Sequence, residues 1–374
     1  MSDRSILLRR RFRTEKIEIQ ATIITPMFLG DAKQAPSLRP EPFKALLRYW
    51  WRLAASVKYP SHGELLEAEN KIFGGSGGEK DEWGKSLVVV TINGFPRIGK
   101  GLELELKQVG FVKHPEVERS GGMVNPLLYL GYGCIRYKKE KGGVFCNRKY
   151  FKPGGSFTIF LSVSSEILDD KDQAELFKTA LYYFRAFAAA GSRSRNGWGS
   201  LQIAVNSLEI SQPQDPIPFT EKLFEKDYPH APLDGKGFAI WRTKNPFDSW
   251  QDVMKELAQI YINVRTSLSL QPKGNLAERH LLGIPVTNHH PVAHLREGDR
   301  HASPLRLLVR KQGEKYYGFI VHIPFGMGLK INKNPETKEL YFSPAHQLDV
   351  WKKVYEKLDS ENSVKRVNIN ELAK

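Results

Sequence analysis

The sequence predicts an α+β fold made of two tandem ferredoxin-like (RRM-like) domains with insertions. Segments with strand and helix periodicity follow one another in the order β-α-β-β-α-β, and the same order recurs in the second half of the chain. A proline-rich segment with little periodicity, residues 211–236, separates the two halves. We therefore expect one domain over residues 1–215 and a second over residues 216–374.

The first half contains the six segments of this order and one long insertion. Its first segment alternates apolar and polar residues, as a half-buried strand does, and prolines open the helix that follows. Residues 93–152 form the insertion, and the basic part of it, residues 136–152, is predicted to form a hairpin. The six segments are predicted to be a strand over 16–25, a helix over 40–56, strands over 85–92 and 157–163, a helix over 169–190 and a strand over 201–205.

The second half repeats the order of elements without repeating the residues. Sheets of this kind commonly present a face or cleft to single-stranded RNA. The predicted elements are a strand over 237–243, a helix over 246–265, paired strands over 305–311 and 316–323, a helix over 346–358 and a closing strand over 363–369.

The chain is strongly basic, which favours a polyanionic partner without saying which one. It has 56 lysines and arginines against 41 acidic residues, a formal net charge of +15 and a pI of about 9.6. Arginines crowd the first thirteen residues, and lysines and arginines crowd residues 136–152. Each of these runs alternatively forms a solubilising face.

Cysteine usage and hydropathy exclude several classes of protein. Only Cys134 and Cys146 are present, without CxxC spacing, so we expect neither a disulfide framework nor a thiolate zinc site. No apolar run approaches the length of a membrane span, and the N-terminal residues lack the apolar core of a signal peptide. We expect a cytoplasmic protein with no membrane partner.

The segment GSRSRNGWGS, residues 191–200, is the first candidate binding site. Its glycines allow backbone amides to turn toward an anion, and Arg193 and Arg195 supply forked donors that suit phosphate. Trp198 offers an indole face on which a base would stack. The alternative is a helix C-cap at Gly191 followed by a solvated turn.

The helix over residues 40–56 is the second candidate. Its apolar residues fall on one side, whereas Lys44, Arg48 and Arg52 follow one another at i, i+4 and i+8 on another side, with Trp51 among them. Like charges at this spacing destabilise a helix, so they indicate a compensating anion. The alternatives are a plain solvated face and, for Trp51, cover by a partner domain.

Several segments resemble the RAMP superfamily of CRISPR proteins. Residues 25–52, TPMFLGDAKQAPSLRPEPFKALLRYWWR, resemble its opening, and NKIFGGSGG (70–78) resembles the Phe-Gly signature after the helix. GSRSRNGWGS resembles its glycine-rich loop, with Asn196 where many members carry a further basic residue, and RHASPL (300–305) resembles a signature of the second half. Together the segments are most similar to the subunit-1 family of type III-B CRISPR (Cmr) effector complexes.

This resemblance implies a non-catalytic RNA-binding subunit, without cofactor or metal, that acts near the 3′ end of the guide RNA and helps to engage target RNA in antiviral defence. The implied partners are single-stranded guide or target RNA and other Cmr subunits. Arg300 and His301, within RHASPL, are candidates either for RNA contact or for a contact between the domains. The residues implied to contact RNA are Arg39, Lys44, Arg48, Trp51, Arg52, Arg193, Arg195 and Trp198. For Arg39, the alternative is that it only fixes the start of the helix.

Two other functions compete with RNA binding by a non-catalytic subunit. The first is a metal-independent endoribonuclease that processes CRISPR RNA, for which the cluster His289, His290, His294 and His301 would supply the acid and base. The cluster lies in a connection that bears proline and glycine, where histidines are usually solvated, and no ligand spacing completes a metal site. The second is an assembly scaffold without direct RNA contact.

Overall fold

A computed structural model gives the architecture of the chain. It describes residues 13–59, 61–75, 84–101, 106, 108–138, 143–146, 148–206, 210, 219–226, 229, 233–234, 237–271, 276–284, 301–332 and 337–373. The helices of the described residues are α1 (Pro40–Ala55), α2 (His62–Phe73), α3 (Pro126–Gly131), α4 (Ser165–Asp169), α5 (Lys171–Phe187), α6 (Trp250–Ser267) and α7 (Pro344–Ser360). The strands are β1 (Thr14–Ile23), β2 (Val88–Asn93), β3 (Ile98–Gly99), β4 (Val112–Lys113), β5 (Met123–Val124), β6 (Ile135–Lys138), β7 (Gly143–Cys146), β8 (Tyr150–Phe151), β9 (Ser156–Ser164), β10 (Leu201–Val205), β11 (Leu233–Asp234), β12 (Gly237–Phe238), β13 (Ile240–Thr243), β14 (Leu305–Gln312), β15 (Lys315–His322), β16 (Gly328–Asn332), β17 (Thr337–Tyr341) and β18 (Val364–Arg366).

The first unit, residues 13–206, is built on a four-stranded antiparallel sheet with the strand order β10-β1-β9-β2. Every second residue of β1, from Ile17 to Ile23, is buried, so one face of the sheet is apolar. The apolar faces of α1 and α5 belong to the same core as this sheet face. The Asp170 side chain caps α5 by accepting from the amides of Asp172 and Gln173.

The second unit, residues 237–373, contains a four-stranded antiparallel sheet with the order β14-β15-β13-β18. Most of β14 and β15 is buried, and α6 and α7 pack in the same core. The Ser249 side chain caps α6, and the Ser343 side chain caps α7. The predicted α+β class is therefore confirmed, and both four-stranded sheets are antiparallel.

The insertion after β2 holds short two-stranded sheets and one short helix. β3 pairs with β8, β4 pairs with β5, and β6 pairs with β7. The pairing of β6 and β7 forms the predicted hairpin, and residues 139–142 lie outside the described part of the chain. The hairpin follows α3 directly and lies against the start of the glycine-rich segment, because the Arg148 Nη1 donates to Ser192 Oγ at 3.0 Å.

The two units share their cores. Ile240, Phe319 and Leu372 of the second unit pack in the core of the first sheet, and Phe28 and Trp198 of the first unit pack in the core of the second. Much of the proline-rich segment over 211–236 lies outside the described residues, which include a short 3₁₀ turn at Glu221–Phe224. In the described part of the chain, no helix combines the length and the apolar character that a bilayer crossing requires.

Candidate nucleic-acid interface

The glycine-rich loop, residues 191–200, lies between the two units. The loop binds the edge strand β14 of the second sheet, because the Leu307 amide donates to the Arg195 carbonyl at 2.8 Å and the Val309 amide donates to the side-chain Oγ of Ser200 at 3.0 Å. At Gly199 the backbone has φ +62°, and a Cβ there would lie 1.9 Å from the Ala190 carbonyl oxygen. The loop is thus tightly packed rather than a solvated turn.

Several backbone amides of this loop do not form the expected anion-binding site. The Ser192 amide donates to the Phe28 carbonyl at 2.9 Å, and the Gly199 amide donates to the Pro26 carbonyl at 3.0 Å. The Ser200 amide donates to Thr25 Oγ1. Because these amides already bind protein oxygens, they are not free to bind phosphate.

The prediction that Trp198 offers a stacking face is wrong. Its side chain is fully buried, with its ring centroid 5.3 Å from that of Phe28 and 5.9 Å from that of Trp250. Trp250 opens α6, so this indole joins the two units. A buried tryptophan stabilises packing and presents no face to a base.

Arg195 also turns inward. Its Nη1 donates to the Ser303 carbonyl at 2.6 Å, and burial, with a smaller contribution from Arg306, lowers the pKa of the guanidinium to about 10. Arg195 therefore contacts the second unit through the Ser303 carbonyl, in place of the expected contact with phosphate.

On α1, the compensating anion is a protein carboxylate. The Glu69 side chain of α2 is 1% exposed, and it accepts from Arg48 Nε at 2.6 Å and from both Nε and Nη2 of Arg52. The side chains of Arg48 and Arg52 remain 28% and 39% exposed. The expectation that phosphate neutralises these two arginines is therefore corrected: α2 supplies the charge.

Trp51 does not project from the basic face of α1. It is fully buried beneath α2, against the rings of Tyr59 and Phe73. Lys44 is half-buried, and its Nζ donates to Ser86 Oγ at 2.7 Å. Burial, with Arg48 nearby, lowers the pKa of Lys44. Of the predicted residues on this helix, Lys44 therefore has a neutral partner and the two arginines an acidic one.

Three arginines do reach the surface beside the glycine-rich loop, and we call Arg39, Arg148 and Arg193 the arginine rim. Arg39 and Arg193 are exposed, and Arg148 is half-buried. Arg39 Nη2 donates to the Gly30 carbonyl at 3.5 Å, two residues beyond the Phe28 carbonyl that holds Ser192. None of the three forms an ion pair with an acid of the described residues.

The backbone of Arg193 fixes its place in the rim. Its φ of +62° lies in the left-handed region, which an arginine rarely adopts, and its carbonyl accepts from the Asn196 amide at 2.9 Å. Its Nη2 lies 3.3 Å from where a Cβ on Gly133 would be. The guanidinium therefore lies over the turn between α3 and β6.

Of the four candidate catalytic histidines, His301 alone lies among the described residues. His289, His290 and His294 lie outside them, as does Arg300. His301 packs against the Phe325 ring at 5.1 Å, and burial, together with Arg195, lowers its pKa to about 4. A histidine with this pKa is a poor general acid or base near neutral pH. Within the described part of the chain, no three or more His, Cys, Asp or Glu side chains form a group that could hold a metal ion.

Sequence reasoning missed Arg148 as an individual contact, although it noted the basic hairpin that contains this residue. The arrangement of the rim suits anion binding, because exposed guanidinium groups without acidic partners attract phosphate oxygens. It supplies no nucleophile, metal ligand or acid–base pair among the residues described here.

Comparisons with known proteins agree with this reading of the motifs. The profile of the RAMP superfamily matches residues 20–202, which include β1, α1 and the glycine-rich loop. The CRISPR system Cmr subunit Cmr1-1 of Pyrococcus furiosus is 24% identical over 197 residues, which cover 52% of this chain and 49% of that relative. The chain thus aligns with about half the length of this curated relative.

The solved structure of one relative shows the same fold. The crystal structure of Cmr1 from Pyrococcus furiosus in its apo form superimposes with a TM-score of 0.50 at 17% identity, covering 94% of this chain and 98% of that one. A chain of type III-B Cmr-beta bound to cognate target RNA gives a TM-score of 0.45 at 10% identity, covering 92% of this chain and 100% of that one. The recognition from motifs is confirmed: residues 20–202 match the RAMP superfamily, and the chain resembles subunit 1 of the Cmr complexes.

Proposed function

We propose that this protein is a non-catalytic RNA-binding subunit of a type III-B CRISPR (Cmr) ribonucleoprotein. The observation that carries the proposal is the arginine rim: Arg193 lies in the glycine-rich loop, Arg148 contacts it and Arg39 contacts the neighbouring Gly30, all without an acidic partner among the described residues. In a chain of net charge +15, such a rim suits the phosphates of a polyanion. The similarity to a CRISPR system Cmr subunit supports a place in such a complex, and RNA is the polyanion of this proposal.

The partners follow from the same similarity. The relative is named as a subunit of a Cmr system, and a structural neighbour is a Cmr complex bound to target RNA. For this chain we therefore propose single-stranded guide or target RNA and other Cmr subunits as partners. Binding near the 3′ end of the guide and help in engaging target RNA belong to the same proposal.

The architecture supports this reading. The strand orders β10-β1-β9-β2 and β14-β15-β13-β18 each place the first and third strands of a β-α-β-β-α-β unit side by side at the centre. We assign both units to the ferredoxin-like topology, with the domain boundary near residue 215. The shared cores make the two domains neighbours rather than independent modules.

The test is binding of a fluorescently labelled single-stranded RNA by anisotropy, followed by a denaturing gel of the same samples. We expect salt-sensitive binding with intact RNA, because the rim holds phosphates and offers no cleavage chemistry. Replacement of Arg39, Arg148 and Arg193 by alanine should weaken binding by about tenfold or more, since hydrogen bonds to charged groups contribute roughly 1.5–3 kcal/mol each and the rim is partly hydrated.

The matched control removes the same amount of charge elsewhere. Lys71, Lys315 and Lys353 are exposed and ion-paired with Glu67, Asp248 and Glu278. Their triple alanine variant should bind RNA like the parent. If both triple variants lost the same RNA affinity, the rim would contribute no more than any other exposed positive charge. If the parent did not bind RNA, the assembly scaffold would be favoured. Discrete cleavage without metal would favour the endoribonuclease.

A further inference from the structure

The arginine rim lacks the aromatic partner that a single-stranded RNA site usually has. Proteins that bind single strands combine cations for the phosphates with exposed rings for the bases. The two tryptophans that the sequence offered for this role, Trp51 and Trp198, are both buried. Any stacking surface must therefore come from other residues near the rim.

Two tyrosines of the insertion meet this requirement. Tyr132 is 64% exposed and Tyr137 is 62% exposed, values that are unusual for large aromatic side chains. Tyr132 directly precedes Gly133, the residue over which the Arg193 guanidinium lies. Its backbone forms a bridge with Ile135 at the start of β6, which fixes the turn from α3 into the hairpin.

The hairpin orients the second tyrosine as well. Ile135 and Tyr137 are two residues apart on β6, so they share a strand face. Ile135 is buried against Gly131, which also contacts Trp198 of the glycine-rich loop. On this strand face, Ile135 is therefore the buried residue next to the glycine-rich loop, and Tyr137 is the solvent-exposed one.

The positive charge of the segment that carries these tyrosines favours a nucleic acid over a protein as their ligand. Exposed Arg136 and Lys149 of the hairpin add to the nearby rim, and neither forms an ion pair with an acid of the described residues. Exposed rings on a segment that also carries unpaired cations suit a polyanion with flat, unstacked bases. Phe95, which is 97% exposed, lies between β2 and β3, outside this hairpin.

We propose that Tyr132 and Tyr137 stack on bases of a single-stranded RNA whose phosphates lie along the arginine rim. The inference rests on the proposed function and deepens it, because it names the residues that hold the bases. Stacking is tolerant of sequence, so we expect little preference among the four bases.

The experiment compares Y132A and Y137A with Y132F, Y137F and F95A in anisotropy assays. Each alanine variant should bind a labelled single-stranded RNA about tenfold more weakly, whereas the phenylalanine variants should bind like the parent because they keep the ring. F95A, which removes an exposed ring elsewhere, should also bind like the parent. The loss should be the same at low and high salt, unlike the loss in R193A.

A second oligonucleotide separates stacking from a structural effect. On an RNA of equal length in which abasic riboses replace the nucleotides at the centre, the parent and the alanine variants should bind with equal affinity, because no base is left to stack. Parent-like binding of normal RNA by Y132A and Y137A would overturn the inference while leaving the proposed function intact. Loss of binding to other Cmr subunits with RNA binding unchanged would overturn it in favour of a protein contact. No RNA binding by the parent would overturn both proposals.

Discussion

The imidazole of His301 lies where the two units meet. Its backbone pairs with Ile284, its ring packs on Phe325, and Nε2 finds no hydrogen-bond partner in the described structure. Burial and the nearby Arg195 both disfavour the charged form, so the pKa falls to about 4. At neutral pH the ring is neutral, and it packs within the second unit near Arg195 of the first.

This pKa predicts an acid-sensitive stability. The unfolded chain binds a proton at His301 near its ordinary pKa of 6.5, and the folded chain binds it only near 4. The unfolding free energy is therefore unaffected by this group above pH 6.5 and decreases as the pH falls toward 4, by about 2 kcal/mol at pH 5. Urea unfolding at pH 8 and pH 5 should show a smaller decrease for H301N than for the parent. An equal decrease in both would contradict the assignment.

At the scale of elements, α1 and α2 act as a pair. Glu69 of α2 neutralises Arg48 and Arg52 of α1, and the same helix covers Trp51. A capping box at Ser61 and Glu64 fixes where α2 begins. The basic stripe of α1 is therefore stabilised within the protein, with its arginines only partly open to solvent.

Removal of this carboxylate charge should destabilise the helix pair. E69Q leaves two arginines close together without a counter-charge, and we expect a loss of about 2–3 kcal/mol in the free energy of unfolding, somewhat below the range for a fully buried pair because both arginines are partly hydrated. E67Q is the matched control on the same helix, since Glu67 is exposed and pairs with Lys71. Its unfolding curve should coincide with that of the parent.

The same pair shows what the sequence could and could not predict. The strand over 201–205 and the start of α1 at Pro40 were predicted at the residues observed, because alternation and helix-opening prolines are local signals. α2 was not predicted as a helix, so its carboxylate was not expected beside α1. Trp198 was misplaced for a similar reason: its partner Trp250 lies on the other unit, and such distant packing leaves no local pattern.

At the scale of the whole molecule, a buried arginine fastens the two units together. Arg310 of β14 is 1% exposed, and its Nη2 donates to the carbonyls of Ala186 at 2.7 Å and Ala188 at 3.3 Å. These carbonyls lie at the end of α5, where the helix dipole favours a cation. Burial lowers the pKa of the guanidinium to about 9.

Loss of this contact should weaken the whole chain. R310M fills a similar volume but leaves the two α5 carbonyls without their donor, so we expect the free energy of unfolding to fall by about 1–3 kcal/mol. K311M changes the neighbouring residue, whose Nζ pairs with the exposed Glu314. In chemical denaturation the midpoint should shift for R310M and stay at the parent value for K311M. Unchanged midpoints in both would show that the units are held together without Arg310.

The salt dependence of RNA binding tests the central claim most directly. Each phosphate held on a single strand contributes about −0.7 to the slope of log K against log salt concentration. The variant lacking Arg39, Arg148 and Arg193 should therefore have a slope shallower than that of the parent by about 2, whereas the Lys71, Lys315 and Lys353 control keeps the parent slope. If the rim variant and the parent gave the same slope, the rim would not hold RNA phosphates, and the proposed interface would be wrong.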